Sequence, residues 1–87
     1  MITGYEIELT KRALNDAQKL KTVGLYEKAK KIRDTLKANP YDNISKKLIG
    51  DLQGKRSVRI NLQHRLVYEI LGDEKTIKVL SMWGHYE

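Results

Sequence analysis

The apolar residues of this 87-residue chain follow a helical period from Ala13 to Leu36 and a period of two from Val58 onward, which restricts the folds it can adopt. Ala13, Leu14, Ala17 and Leu20 recur at helical spacing. Gly24 interrupts the pattern, and Leu25, Ala29, Ile32 and Leu36 resume it at i, i+4, i+7 and i+11. Thr10 suits the N-cap of the first helix, and Pro40 ends the second because its ring disfavours helical geometry at Asn39. Ahead of the helices, Tyr5, Ile7 and Leu9 alternate with Glu6, Glu8 and Thr10, as in a half-buried strand.

Residues 41–54 read as a loop punctuated by Asp42, Asn43, Gly50 and Gly54. From Arg56 to Leu62 the chain alternates, with Val58, Ile60 and Leu62 on one face and Ser57, Arg59 and Asn61 on the other. Arg65 to Leu71 is rich in β-forming residues, Gly72 to Lys75 forms a turn, and Thr76 to Trp83 pairs back. The predicted order is β-α-α-β-β-β, an α+β fold with an N-terminal helical hairpin packed on one face of an antiparallel sheet. Residues 1–87 fit a single domain. Its expected core sets Leu25, Ala29, Ile32 and Leu36 against Val58, Ile60, Leu66, Tyr68 and Val79.

There is no Cys, which excludes disulfides and Cys-based zinc sites, and two His alone leave a metal site unsupported. No metal or cofactor is expected. No apolar run reaches membrane-spanning length and the start lacks a signal-peptide pattern, so the expected location is cytoplasmic, with no membrane partner. The net charge of +6 favours a polyanion, either nucleic acid or an acidic protein, although a merely soluble basic protein has the same balance.

Three groups of residues could carry chemistry. Lys46, Lys47, Lys55, Arg56, Arg59 and Arg65 lie on or beside strand segments. Alternation puts Arg59 on the face away from Val58 and Ile60, where such cations form either a phosphate groove or a solvated face blunting a sheet edge. The terminal Trp83-Gly84-His85-Tyr86-Glu87 sets an imidazole beside a phenol, a proton donor next to a stacking surface, or simply a frayed end. Finally, in Asn61 to Tyr68, Arg65 opens an apolar strand with a planar fork suited to phosphate oxygens, or to an interface or cap.

Together these segments resemble the RelE/ParE toxin superfamily in its Txe/YoeB branch. The resemblance rests on Asn39-Pro40-Tyr41, Lys47-Leu48-Ile49-Gly50-Asp51-Leu52-Gln53-Gly54, Ser57-Val58-Arg59-Ile60-Asn61, His64-Arg65-Leu66-Val67-Tyr68 and Met82-Trp83-Gly84-His85-Tyr86, in the family's order and spacing. It implies a RelE-like fold and the toxin of a type II toxin–antitoxin system. The implied activity is a ribosome-dependent endoribonuclease, an mRNA interferase that cleaves message in the decoding site and inhibits translation. Its implied reaction is attack by the RNA's own 2′-hydroxyl on the neighbouring phosphate.

By position, Arg65 matches the transition-state Arg, Arg59 a phosphate-contacting Arg, His85 the general acid, and Tyr86 the residue that orients or stacks the RNA. Arg56, Lys47 and Lys55 are added as phosphate-binding candidates. Implied partners are a cognate antitoxin with an acidic, disordered segment, the 30S decoding site and its mRNA. Operator DNA, reached through the antitoxin complex, and a second copy in a homodimer are further candidates.

The sequence departs from the branch at Lys46, where a Glu taken as the general base usually stands. It departs again at Arg56, in place of an aromatic, and at Val58, in place of an Arg. Lysine is a poor base unless burial or neighbouring cations lower its pKa. Arg56 lies nine positions before Arg65, where RelE-type relatives use a basic residue, and Lys47, Asp42 or Asp51 are further candidates for the gap. The competing readings are a degenerate toxin that binds ribosome, RNA and antitoxin without cutting, and a basic DNA-binding module.

Overall fold

The computed structural model describes residues 4–50 and 54–84. Five strands and two helices follow in the order β1 (Glu6–Leu9), α1 (Lys11–Thr22), α2 (Tyr26–Ala38), β2 (Ser45–Lys47), β3 (Lys55–Arg59), β4 (Arg65–Leu71) and β5 (Thr76–Ser81). They form one sheet ordered β1-β5-β4-β3-β2, with the helical hairpin against one face.

Local chemistry accounts for the hairpin. The Thr10 hydroxyl caps α1 by accepting the Ala13 N–H at 3.0 Å. Gly24, at φ 75°, closes α1: its own N–H reaches Lys21 O and the Leu25 N–H reaches Leu20 O at 2.9 Å. That pairing satisfies two helix-end carbonyls and turns the chain straight into α2. Asn39 is extended ahead of Pro40, where α2 ends. The Pro40 carbonyl then accepts a 2.6 Å hydrogen bond from the buried Tyr68 hydroxyl, tying the helical half of the chain to the middle of the sheet.

The core joins Ala13, Ala17, Leu20, Ala29, Ile32 and Leu36 from the helices to Val58, Ile60, Leu66, Tyr68, Ile77 and Val79 from the sheet side, with Leu25 partly buried against them. This is the helix-on-sheet packing that the two hydrophobic periods require.

The structure adds three things to the sequence reading. A three-residue strand, β2, lies inside the expected loop. β1 pairs in parallel with β5, a strand some seventy residues downstream, making the sheet mixed at that edge. Third, Leu14 and Leu62 are solvent-facing, at 53 % and 88 % exposure. The buried stripe of α1 runs through Ala13, Asp16, Ala17 and Leu20, and Leu14 falls outside it. Leu62 leaves its predicted strand because Asn61 Oδ1 accepts the N–H groups of Gln63 and His64, at 2.9 and 2.8 Å, and curls the chain.

Truncating Ile60, wholly buried, to Ala should therefore cost about 2–5 kcal/mol in denaturant unfolding. The same truncation at Leu62 should change stability by less than about 0.5 kcal/mol.

Candidate functional site

Side chains alternate across a strand, and cross-strand partners share a face. In the β3–β4 ladder, Val58 opposes Leu66 and Arg56 opposes Tyr68 on the helix side. The intervening pairs, Arg59 with Arg65, Ser57 with Val67 and Lys55 with Glu69, lie on the opposite face. β2 adds Lys46 beside Ser57 on that same face. Ser57, Val67 and Ser81 form a floor of small, buried side chains, above which Arg65 Nη1 donates to Ser57 Oγ at 3.4 Å.

Arg59 and Arg65 stand directly opposite each other because of the Asn61 turn. The Ile60 N–H bonds His64 O at 2.8 Å and closes the connection between β3 and β4. Like charges paired across a ladder are destabilising. Among the described residues, no carboxylate forms an ion pair with Lys46, Arg59 or Arg65. The acids on this face, Glu69, Glu8 and Glu6, lie towards β5 and β1; Glu69 is four residues along β4 from Arg65, roughly 13 Å by strand rise. The face is thus cationic at the β2–β3 side and mixed at the other, an arrangement suited to an anion at Lys46, Arg59 and Arg65.

Two of the phosphate-binding candidates lie on the other side of the sheet from Arg65. Arg56 points to the helix side, donates from Nε to Ser45 Oγ at 2.9 Å, and lies 5.7 Å from the centre of the Tyr41 ring. Lys47 pairs with Arg56 and shares that side. The cause is alternation: Lys46 and Lys47 are consecutive in a strand, so they face opposite ways. Lys55 stays with Arg59. Asp42, considered as a replacement carboxylate, accepts the Ile44 N–H at 3.0 Å in its own turn. His85, Tyr86 and Asp51 lie outside the described residues.

Comparison with known proteins decides the family. The family model of the ParE toxin of type II toxin–antitoxin systems, parDE, matches residues 7–87. The chain belongs to the ParE toxin family. Among solved structures, it is similar to a YoeB/ParE toxin from Agrobacterium tumefaciens at 25 % identity and TM-score 0.85, covering 93 % of this chain and 99 % of that one. It is similar also to the toxin of the YoeB–YefM complex from Staphylococcus aureus, at 29 % identity, TM-score 0.79 and coverages of 94 % and 98 %. A third likeness is to the toxin–antitoxin complex RelBE2 from Mycobacterium tuberculosis, at 26 % identity, TM-score 0.77 and coverages of 94 % and 99 %. Comparison with curated proteins returns no match.

Several residues that shape this ParE-family site escaped sequence reasoning. Asn61 sets the Arg59–Arg65 register through its side-chain oxygen. Its position two residues after the strand Arg is the signal, since Asn in that place commonly bonds the backbone two residues on. Asp16, buried in α1, accepts the Met82 N–H at 2.9 Å through Oδ2. A lone acid in the apolar stripe of α1 marks it, although its partner cannot be read from spacing. His64, also buried, stacks on Trp83 and accepts the Gly84 N–H.

Removing one member of the opposed pair should relieve repulsion. Arg59→Ala should keep or raise folding stability by up to about 1 kcal/mol in low salt, an effect that fades in high salt. The same change should flatten the salt dependence of binding to a polyanion by about one charge contact. Thermal unfolding and fluorescence titration over a salt series measure the two effects.

Proposed function

We propose that this ParE-family toxin is a ribosome-dependent endoribonuclease that cleaves message in the decoding site and so inhibits translation in the cytoplasm. The observation that carries this reading is the set of Lys46, Arg59 and Arg65 on one sheet face, without an ion-pair partner among the described residues. The reaction forms a bond between the 2′-oxygen and phosphorus and breaks the bond from phosphorus to the 5′-oxygen. It leaves a 2′,3′-cyclic phosphate and a 5′-hydroxyl. Arg65 stabilises the charge on the pentacoordinate phosphorane, and Arg59 and Lys55 hold flanking phosphates. His85 delivers a proton to the departing oxygen, and Tyr86 stacks a base. Lys47 and Arg56, on the helix side, are left out of this face.

Lys46, on that face, contacts phosphate, and the 2′-proton leaves to water. The site therefore lacks a strong base of its own, and alignment of the message by the ribosome supplies much of the acceleration. The named relatives suggest the protein partners: an antitoxin, as YefM is for the staphylococcal YoeB, and a second toxin copy, as in the YoeB dimer from the same organism. Operator DNA is engaged through the antitoxin.

Single-turnover cleavage of a translated message at saturating ribosome tests the proposal. Arg65→Ala should slow cleavage about a hundredfold or more while folding persists. Equally fast cleavage of naked RNA at the same positions overturns the dependence on the ribosome. An intact toxin that binds ribosomes and leaves the message whole supports instead the non-cleaving reading, which the presence of Lys46 on this face favours.

Lys46 itself is separately testable. General-base catalysis contributes about 10²–10⁴-fold, so Lys46→Glu should accelerate cleavage and Lys46→Ala should change it by less than about tenfold. Abolished cleavage by a folded, ribosome-binding Lys46→Ala protein would make Lys46 the base.

A further inference from the structure

The hydrogen-bonded ladder of β5 ends at Ser81, yet the chain beyond it is held at every second residue by groups from elsewhere in the fold. Asp16 Oδ2 accepts the Met82 N–H at 2.9 Å. His64 Nδ1 accepts the Gly84 N–H at 2.9 Å. The Arg65 N–H donates to the Gly84 carbonyl at 2.8 Å. Gly84 is thus gripped at both its polar groups by two consecutive residues, the second of which is the Arg at the centre of the cationic face.

The geometry also dictates the state of the His64 ring. A nitrogen that accepts from a backbone N–H cannot carry a hydrogen, so the hydrogen of the neutral ring is on Nε2. The ring cannot swing away to relax: it is 8 % exposed and stacks on Trp83 with ring centres 4.0 Å apart. Asn61 holds the His64 backbone from the other side through the 2.8 Å bond to its N–H. Gly84 sits at φ 79°, a conformation that glycine adopts without strain and that directs the chain onward.

We infer that His64 is a positioning residue: by accepting the Gly84 N–H it holds the Gly84 peptide whose carbonyl takes the Arg65 N–H, and so sets the backbone of Arg65 at the centre of the cationic face. The inference rests on the proposed nuclease reading for its catalytic consequence, but the clasp itself is a property of the folded chain. It differs from a packing role because it depends on one acceptor atom at one place. An error of about 1 Å in a reacting group costs on the order of a hundredfold in rate, so a single hydrogen bond at this peptide carries weight.

Three substitutions separate the acceptor from the bulk of the side chain. His64→Asn keeps an acceptor two bonds from Cβ, near the place of Nδ1. His64→Gln keeps polarity and size but moves the acceptor one bond further out, and His64→Leu removes it. Nitrogen NMR of the wild-type protein should show the Nε2–H tautomer, and the Gly84 amide should exchange with solvent at least about tenfold faster in the Gln and Leu variants than in wild type or the Asn variant. On ribosome-bound message, the Gln and Leu variants should lose about 10- to 100-fold in kcat with KM little changed, and the Asn variant should run at least tenfold faster than either. If Leu fails to fold, the Gln–Asn comparison decides alone. Equal Gly84 exchange in the wild-type and Gln proteins, or equal kcat in the Gln and Asn variants, overturns the inference. If the wild-type toxin does not cleave at all, the nuclease reading falls, and the clasp is then judged by tautomer and exchange alone.

Discussion

β4 is bonded along both edges, to β3 on one side and β5 on the other, and that double pairing dictates where each of its side chains must go. Leu66, Tyr68 and Ile70 face the helices; Arg65, Val67 and Glu69 face away. A slip of one residue would drive Arg65 into the core and expose Tyr68, at a cost no surface contact could offset. The bond from the Tyr68 hydroxyl to Pro40 adds a second lock, joining this register to the end of the helical hairpin. The position of the cationic face is therefore a by-product of burying the apolar one.

Concentrating Lys46, Arg59 and Arg65 on a single face works against folding stability. The repulsion is modest at an exposed surface, of the order of a few tenths to 1 kcal/mol per pair, and the helix-on-sheet core can absorb it. What the arrangement provides is a concentration of positive charge suited to an anion. Ser57, Val67 and Ser81 help because their short side chains let the arginines rise above a recessed floor.

Much of this architecture was legible in the sequence. The helical stripe of Ala29, Ile32 and Leu36 and the alternation through Val58 and Ile60 both give the observed core, because each depends only on local periodicity. The face of Arg59 followed from the same alternation. Leu14 and Leu62 misled for opposite reasons. Leu14 matches the helical period but lies at the margin of a stripe that a buried Asp16 shares, and Leu62 continues the strand period past the point where the Asn61 side chain ends it. The opposite orientations of Lys46 and Lys47 were hidden because three residues of strand inside a polar loop leave no periodic signal.

By itself, then, the sequence determined the two hydrophobic periods, the break at Pro40, the positive charge and the ordered motifs that mark the family, all of which are properties of neighbouring residues. Only the tertiary structure decided which cations meet. Arg59 and Arg65 are opposed through a side-chain-directed turn, Lys46 joins them across β3 while Lys47 and Arg56 are turned away, and β1 pairs in parallel with a distant strand. The grip of Asp16, His64 and Arg65 on the chain after β5 belongs to the same class. Each of these depends on hydrogen bonds between residues far apart in the chain or on a turn whose side-chain bonding reorients the backbone, and neither leaves a period to read.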